Sequence, residues 1–353
     1  CPEIVTAIKF LVEDGKYQYL LSGSLLGVEL KDIRSVPVGY MDVYEMYPLD
    51  FEEFCWANGV SERIFEMLRQ CYQKRIAVDK IIHEKMMELF RLYLMVGGMP
   101  EAVNTYIKTN NLKQVDEIQK GIVRLYKKDI AKYDPDHKLY LEEIFSLIPS
   151  ELNQKNKRFI LKNLNENFKF SRYSFIWLKE AGVALPVYCA AEPTSPLLLS
   201  RATNLFKLFA SDVGLLASMY SDGLQLRILK GEKDINFGSV YENVVAQELQ
   251  THGFELYYYN SKKQGELDFL IEQSGVVLPI EVKSGKGYTR HAALNNVLST
   301  GNYAIPQGIV LCNENVQVVE NIVYYPIYMV MFLQKEEEQE EMIYKPDFSA
   351  LQE

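Results

Sequence analysis

The sequence predicts a multidomain protein that combines α/β layers with all-helical regions. Its 353 residues correspond to two or three domains at about 150 residues each. Short apolar stretches alternate with helical patterns at both ends of the chain, as in an α/β layer, whereas apolar residues in the middle recur at helical spacing. We therefore divide the chain at 1–60, 61–132, 133–230, 231–334 and 335–353.

The composition excludes several classes of protein. Hydrophobic residues make up 48% and charged residues 24% of the chain, which is typical of a globular protein. A net charge of -9 excludes an overall basic coat for nucleic acid, although not a local basic groove. No apolar run is long enough to cross a bilayer, and five scattered cysteines without a CxxC pair indicate a reducing compartment. We expect a cytoplasmic protein that does not enter a membrane.

The first region has the pattern of an incomplete α/β layer. Apolar spacing predicts a helix over 3–12, and strands are expected over 17–21 and 41–49. The first strand ends in Ser22-Gly23-Ser24. A further helix is expected to begin near Asp50, where acidic residues favour a helix N-terminus.

Two helical blocks follow. The first, 61–132, turns at Gly97-Gly98 and restarts after Pro100. In the second, 133–230, a helix from Ser171 to about Ala181 precedes a glycine and a strand over 183–188. This outline fits a winged helix-turn-helix, but it fits a helix packed on a hairpin equally well.

The last structured region, 231–334, returns to an α/β pattern. An amphipathic helix over 238–250 precedes four short strands, and another helix near 290–299 separates the third strand from the fourth. The acidic run that begins near Lys335 predicts a solvated helix or tail over 335–353.

Charged residues on two of these strands suggest a metal-dependent site. Glu281 and Lys283 share one face of a strand, and Asp268 approaches that face if the neighbouring strand pairs with it as a hairpin. Adjacent carboxylates favour Mg²⁺ or Mn²⁺ between them, and a lysine can stabilise charge on a phosphate. Glu242, on the preceding helix, could supply a further carboxylate. The alternative is an ordinary surface pair worth under about 1 kcal/mol, but the apolar neighbours favour a buried site.

The order Glu242, Asp268, Glu281-Val282-Lys283 resembles the PD-(D/E)XK nuclease superfamily, although Leu267 stands where a proline is usual. The resemblance implies a mixed sheet flanked by helices. It also implies that these four residues are catalytic, with Glu242, Asp268 and Glu281 as the metal ligands.

Further motifs resemble predicted AAA+ ATPases that carry a C-terminal domain of unknown function with a nuclease-like fold. The matching strings are LLSGSLLGV (20–28), YPLDFEEF (47–54), YLMVGGMPEAV (93–103), FASDVGLLASM (209–219) and GSVYENVVAQEL (238–249). The resemblance implies that 1–60 is the remainder of the nucleotide-binding core and 61–132 the helical lid. It implies a winged-helix-like domain over 133–230 and the nuclease-like domain over 231–334.

The ATP site of such a family is incomplete in these residues. The phosphate-binding motif GxxxxGK[ST] does not occur, and neither does an apolar strand that ends in acidic residues. We expect those parts upstream of the helix that begins near Cys1, as in a family member without its front third. By resemblance, Ser22 or Ser24 would contact the γ-phosphate region, but Tyr40 follows Gly39 where the family often has an arginine.

Three functions remain open from the sequence. The chain could belong to an ATP-binding AAA+ regulatory protein whose winged helix touches DNA or a protein partner. It could be an Mg²⁺- or Mn²⁺-dependent nuclease. It could also be a non-catalytic module that binds nucleic acid, a protein or further copies of itself.

Overall fold

The computed structural model describes residues 3–23, 39–40, 42–133, 138–154, 159–160, 177–220, 238–335 and 345–346. The helices that are described from end to end are α1 (Glu3–Glu13), α2 (Phe51–Ala57), α3 (Glu62–Lys74), α4 (Lys80–Val96), α5 (Pro100–Thr109), α6 (Leu112–Tyr133), α7 (Lys138–Asn153), α8 (Val213–Met219), α9 (Gly238–Thr251) and α10 (Ala292–Leu298). The strands are β1 (Phe159–Ile160), β2 (Ala184–Ala190), β3 (Arg201–Ala210), β4 (Tyr257–Ser261), β5 (Gly265–Gln273), β6 (Val276–Val282), β7 (Gly308–Cys312), β8 (Gln317–Val319) and β9 (Ile322–Pro326).

The described strands form one mixed sheet in the order β1-β3-β2-β4-β5-β6-β7-β9-β8. Neighbouring pairs β2–β4, β6–β7 and β7–β9 are parallel, and the other pairs are antiparallel. The four strands and the two helices expected over 231–334 are therefore confirmed. So is the mixed character of the sheet.

The ribbon assigned to a wing joins this same sheet. β2 pairs with β3 as an antiparallel partner, and its other edge pairs with β4. Most of the expected recognition helix lies outside the described residues, which omit 161–176. The winged-helix interpretation consequently stays a prediction.

Local sequence signals explain where the N-terminal helices begin and end. Asp50 caps α2 by accepting the N–H of Glu53 at 2.8 Å, and the Glu53 carboxylate accepts the N–H of Asp50 at 3.0 Å. Asp79 caps α4, which ends before Gly97 at a φ of +65°. Pro100 occupies the first turn of α5. The predicted helix start near Asp50 and the corner at Gly97-Gly98 are thus confirmed.

The two strands expected before residue 50 are wrong for the residues that the structure describes. α1 forms as predicted, but 17–23 and 42–50 have no strand conformation, and every described strand follows residue 158. A β-strand needs the backbone of a neighbour to complete its hydrogen bonds. Leu20 and Met46 are almost fully exposed, so these apolar segments have not found such a neighbour among the described residues.

Apolar side chains cover both faces of the sheet. The larger cluster runs from Phe51 to Leu333 and joins the helices of the first half to one face. The smaller cluster, with Leu294 of α10 and Tyr324 of β9, covers the other face. Burial on both faces explains why strands such as β7 are apolar throughout rather than alternating.

No helix within the described ranges has both the length and the apolar character required to cross a bilayer.

Candidate functional site

The β5–β6 hairpin brings Asp268 to the strand that carries Glu281. Its register pairs Phe269 with Ile280, and the backbone N–H of Val282 donates to Oδ2 of Asp268 at 2.8 Å. The hairpin that the sequence predicted is present. One oxygen of Asp268 is therefore already used in holding the two strands together.

Glu281 and Lys283 lie side by side, as the period of the strand predicts. Nζ of Lys283 is 2.5 Å from Oε1 of Glu281, and the glutamate is only 6% exposed. Burial raises the pKa of Glu281 to about 8, and the negative charge of Asp268 adds to that rise. Lys283 acts in the opposite direction by stabilising the carboxylate.

Glu242 reaches the same group of charges from α9. Its side chain is buried, and its negative charge raises the pKa values of both Glu281 and Lys283, although in each case as the smallest contribution. The four residues assigned to the site from sequence thus interact with one another. Of the two sensor-like serines, Ser22 is exposed, and Ser24 lies outside the described residues.

Sequence analysis missed a second lysine in this cluster. Lys207 of β3 has no exposed surface, and its Nζ lies 2.8 Å from Oε1 of Glu266. Burial by itself would lower the pKa of Lys207, yet the pKa lies above its ordinary value. The negative charges of Glu242, Asp268 and Glu266, in decreasing order, raise it. The sequence feature that could have identified Lys207 was its position as the lone charged residue in the apolar string LFKLFA at 205–210.

The arrangement does not fit a divalent cation as it stands. Within the described ranges, no three acidic, histidine or cysteine side chains are grouped closely enough to hold a metal. One oxygen of Asp268 accepts a backbone N–H, and one oxygen of Glu281 accepts from Lys283. The two lysines already supply positive charge. The expected metal ligands therefore come near one another without forming a ready metal site.

A second buried polar group lies where the AAA+-like motifs meet. Gly98 donates its N–H to Oδ2 of Asp212 at 2.6 Å, and its carbonyl accepts the N–H of Leu49 at 2.8 Å. A Cβ on Gly98 would lie 1.9 Å from the Leu49 carbonyl oxygen, and one on Gly214 would lie 2.7 Å from the backbone nitrogen of Gly97. Glycines of two separate motifs are thus each required by a close backbone contact at this junction.

Glu248 of α9 completes this junction. Its Oε1 accepts the N–H of Phe51 at 2.9 Å and the hydroxyl of Tyr93 at 3.3 Å. Burial raises the pKa of Glu248 to about 8, with a further contribution from the charge of Asp50. Nε2 of His252 lies 3.5 Å from Oδ2 of the same Asp50. The C-terminal part of α9 is therefore bonded to the start of α2 and to α4.

One helix connects the carboxylate cluster with this junction. Glu242 and Glu248 both lie on α9, about 9 Å apart along its axis. Between them, Asn243 exchanges two hydrogen bonds with the backbone of Ala210, and Gln247 accepts the N–H of Val213 at 2.8 Å. α9 therefore forms a continuous structural link between the junction and the cluster.

Comparisons with known proteins found three family models that match separate parts of the chain. Residues 1–55 match a family model described as an AAA domain. Residues 87–227 match a domain of unknown function, DUF8612, and residues 237–330 match another, DUF4143. No curated protein and no solved structure matched the chain.

These matches support an AAA-like, ATPase-associated protein. An AAA domain in general uses ATP together with Mg²⁺, and DUF4143 is typical of the C-terminal domains that accompany such ATPases. The nuclease-like fold, the winged helix and DNA binding have no such support and stay predictions.

Proposed function

We propose that this chain acts within an ATP-dependent AAA-type protein, in which nucleotide state in the AAA domain repositions the DUF4143 region through α9. The observation that carries the proposal is the bond network at residues 47–54. These residues lie within the segment that matches the AAA domain. Asp50 lies 3.5 Å from His252, which directly follows α9, and Phe51 is bonded to Glu248 of α9.

The same proposal explains the absence of a phosphate loop. GxxxxGK[ST] does not occur in the 353 residues, so the backbone amides and the lysine that grip ATP would come from sequence outside them. Titration calorimetry with Mg-ATP should detect no binding to this chain at millimolar nucleotide. Tight binding would contradict the proposal. The upstream coding sequence offers a direct check, since it should encode the loop.

Coupling through α9 is testable by hydrogen exchange on this chain. Glu248→Ala removes the acceptor of Phe51 and Tyr93 and should increase amide exchange in α2, α4 and α9 together. Glu84→Gln, at an exposed position of α4, is the control and should change exchange only locally. Increased exchange confined to α9 would argue against mechanical coupling.

A metal-dependent nuclease is the second candidate. The approach of Asp268, Glu281 and Lys283 favours it, because two carboxylates and a lysine on adjacent strands are the groups that phosphodiester cleavage requires. Plasmid and single-stranded DNA incubated with Mg²⁺ or Mn²⁺ should be cut by the chain and left intact by Asp268→Ala and Lys283→Ala. Absence of cleavage of every DNA and RNA form would exclude this candidate.

The third candidate is a non-catalytic binding module for DNA, a protein partner or a second copy of the chain. A net charge of -9 means that any affinity for nucleic acid depends on local basic segments such as Lys262-Lys263 and Lys286. Gel shifts over a series of salt concentrations would reveal such contacts as a steep loss of binding with salt. Binding that does not depend on salt would count against them.

A further inference from the structure

Lys207 is a charged residue in a position where charge is costly. It lies in the middle of β3 between the buried residues Phe206 and Leu208, opposite Val187 of β2, and none of its surface is exposed. A lysine in such surroundings destabilises the fold unless negative groups compensate for the lost hydration. Its partners therefore indicate why the chain has a lysine here.

Those partners are the carboxylates of the candidate site. The ammonium lies 2.8 Å from Glu266, which precedes Asp268 by two residues on β5, and 4.9 Å from the centre of the Tyr258 ring. α9, which carries the buried Glu242, packs against β3. The charges of Glu242 and Asp268 act on Lys207 even more strongly than that of Glu266. The lysine is therefore placed within the carboxylate cluster and not beside it.

Two ammonium groups already offset part of the negative charge of the cluster. Its acidic members are Glu242, Glu266, Asp268 and Glu281, and its basic members are Lys207 and Lys283. A proton on Glu281, whose pKa is raised to about 8, removes one further negative charge. A divalent cation would have to enter next to two ammonium groups, one of which is fully buried and cannot swing into solvent. Its repulsion from them in a poorly hydrated interior is strong. This agrees with the absence of a metal-holding group in the described residues.

We propose that Lys207 is the permanent counter-ion of this cluster and takes the electrostatic place that a divalent cation has in carboxylate sites of nucleases. The cluster then binds α9 to β3 and β5 through ion pairs and hydrogen bonds without metal. The inference goes beyond the proposed ATP-dependent function and does not depend on it. It argues directly against the nuclease candidate.

The test is a measurement of Mn²⁺ binding to the full 353-residue chain by the electron paramagnetic resonance signal of free Mn²⁺. In the wild-type background, Asp268→Asn should leave Mn²⁺ binding unchanged, because the cluster holds no Mn²⁺. Lys207→Met, which keeps the length of the side chain but not its charge, should raise the affinity for Mn²⁺ at least ten-fold. Asp268→Asn in that background should abolish the gain. Lys263→Met, at an exposed position in the β4–β5 turn, is the matched control and should leave binding unchanged.

A second variant covers the case in which Lys207→Met does not fold. Lys207→Met with Glu266→Gln removes both members of the buried ion pair, so the net charge of the interior is unchanged. It should also acquire Mn²⁺ binding, because Glu242 and Asp268 lose their counter-ion. The proposal is overturned if wild-type protein binds Mn²⁺ at submillimolar concentration in a manner that Asp268→Asn abolishes. It is equally overturned if folded variants without Lys207 bind Mn²⁺ no better than wild type.

Discussion

Phe51 donates its backbone N–H over 2.9 Å to the buried carboxylate of Glu248, which lies 197 residues further along the chain. This bond connects the first turn of α2 to the first helix of the DUF4143-matching region. Tyr93 of α4 donates to the same carboxylate oxygen at 3.3 Å. A single glutamate therefore holds together three segments that the sequence assigns to separate regions.

The first prediction concerns the dependence of stability on pH. The folded-state pKa of Glu248 is about 8 instead of the ordinary 4.5, so between these values the folded protein keeps a proton that the unfolded chain has released. The free energy of unfolding should consequently fall as the pH rises, by about 2 kcal/mol or more between pH 5.5 and 8. His252 acts in the same direction. Burial alone would lower the pKa of His252, but Asp50 and Glu248 raise it above its ordinary value.

Glu248→Gln provides the comparison for that prediction. The amide still accepts the Phe51 N–H but does not titrate, so the loss of stability towards pH 8 should become markedly smaller. Urea unfolding at a series of pH values measures both proteins. Equal slopes for wild type and variant would show that Glu248 is not responsible.

The second prediction concerns the closest backbone contact in the junction. Gly98→Ala places a Cβ 1.9 Å from the Leu49 carbonyl oxygen, and backbone cannot move aside as a flexible side chain can. We expect a loss of about 3 kcal/mol or more, or a failure to fold. Gly301→Ala is the control, because a Cβ there meets nothing within 4 Å, and it should change the melting temperature little. Similar melting temperatures for the two variants would disprove the contact.

The third prediction compares two helix caps that differ in burial. Asp212 caps α8 by accepting the N–H of Leu215 at 2.8 Å and also accepts the Gly98 N–H, and it is fully buried. Its replacement by Ala leaves buried donors without an acceptor and should cost about 2–4 kcal/mol.

Asp79→Ala removes the cap of α4 at an exposed position and should cost about 1 kcal/mol, because water replaces the lost acceptor. Denaturant unfolding of the two variants gives the difference directly. A larger loss at Asp79 would mean that burial of the Asp212 cap contributes nothing.

The fourth prediction concerns thiol reactivity. Cys55, Cys71, Cys189 and Cys312 are all buried, and burial raises the pKa of Cys55 and Cys71, and that of Cys312 to about 11. Because the thiolate is the reactive form, these four thiols should react slowly with Ellman's reagent in native protein and rapidly in urea. A Cys1→Ser variant removes the remaining thiol, which lies outside the described residues. Fast reaction of that native variant would contradict the burial.

Local signals were sufficient for the elements that carry their own start and stop residues. The helix at Asp50, the corner at Gly97-Gly98 and the β5–β6 hairpin follow from capping, glycine and strand period, which act within a few residues. The strands expected over 17–21 and 41–49 failed, because a strand depends on a partner that local sequence does not specify.

The candidate site was only partly predictable for the same reason. Asp268, Glu281 and Lys283 lie on adjacent strands, so their approach could be expected from the hairpin alone. Lys207 comes from β3, which is separated from β5 by β2 and β4 in the sheet. The residues near Lys207 in sequence do not indicate that its partner is an acidic residue of β5. From sequence, Glu248 is likewise indistinguishable from the other polar residues of an amphipathic helix. Only its contacts with Phe51 and Tyr93 distinguish it.

The amino-acid sequence by itself determined the helices and the first four strands of the C-terminal region, although not β8 and β9, and the similarity to AAA-type proteins. Both depend on residue types at short spacing. Tertiary structure alone decided which charges meet. Ionisable side chains interact through space over a few ångströms, and sheet order and helix packing bring together Lys207, Glu242 and Asp268 from three separate elements. That these charges interact could not be inferred before the chain was folded.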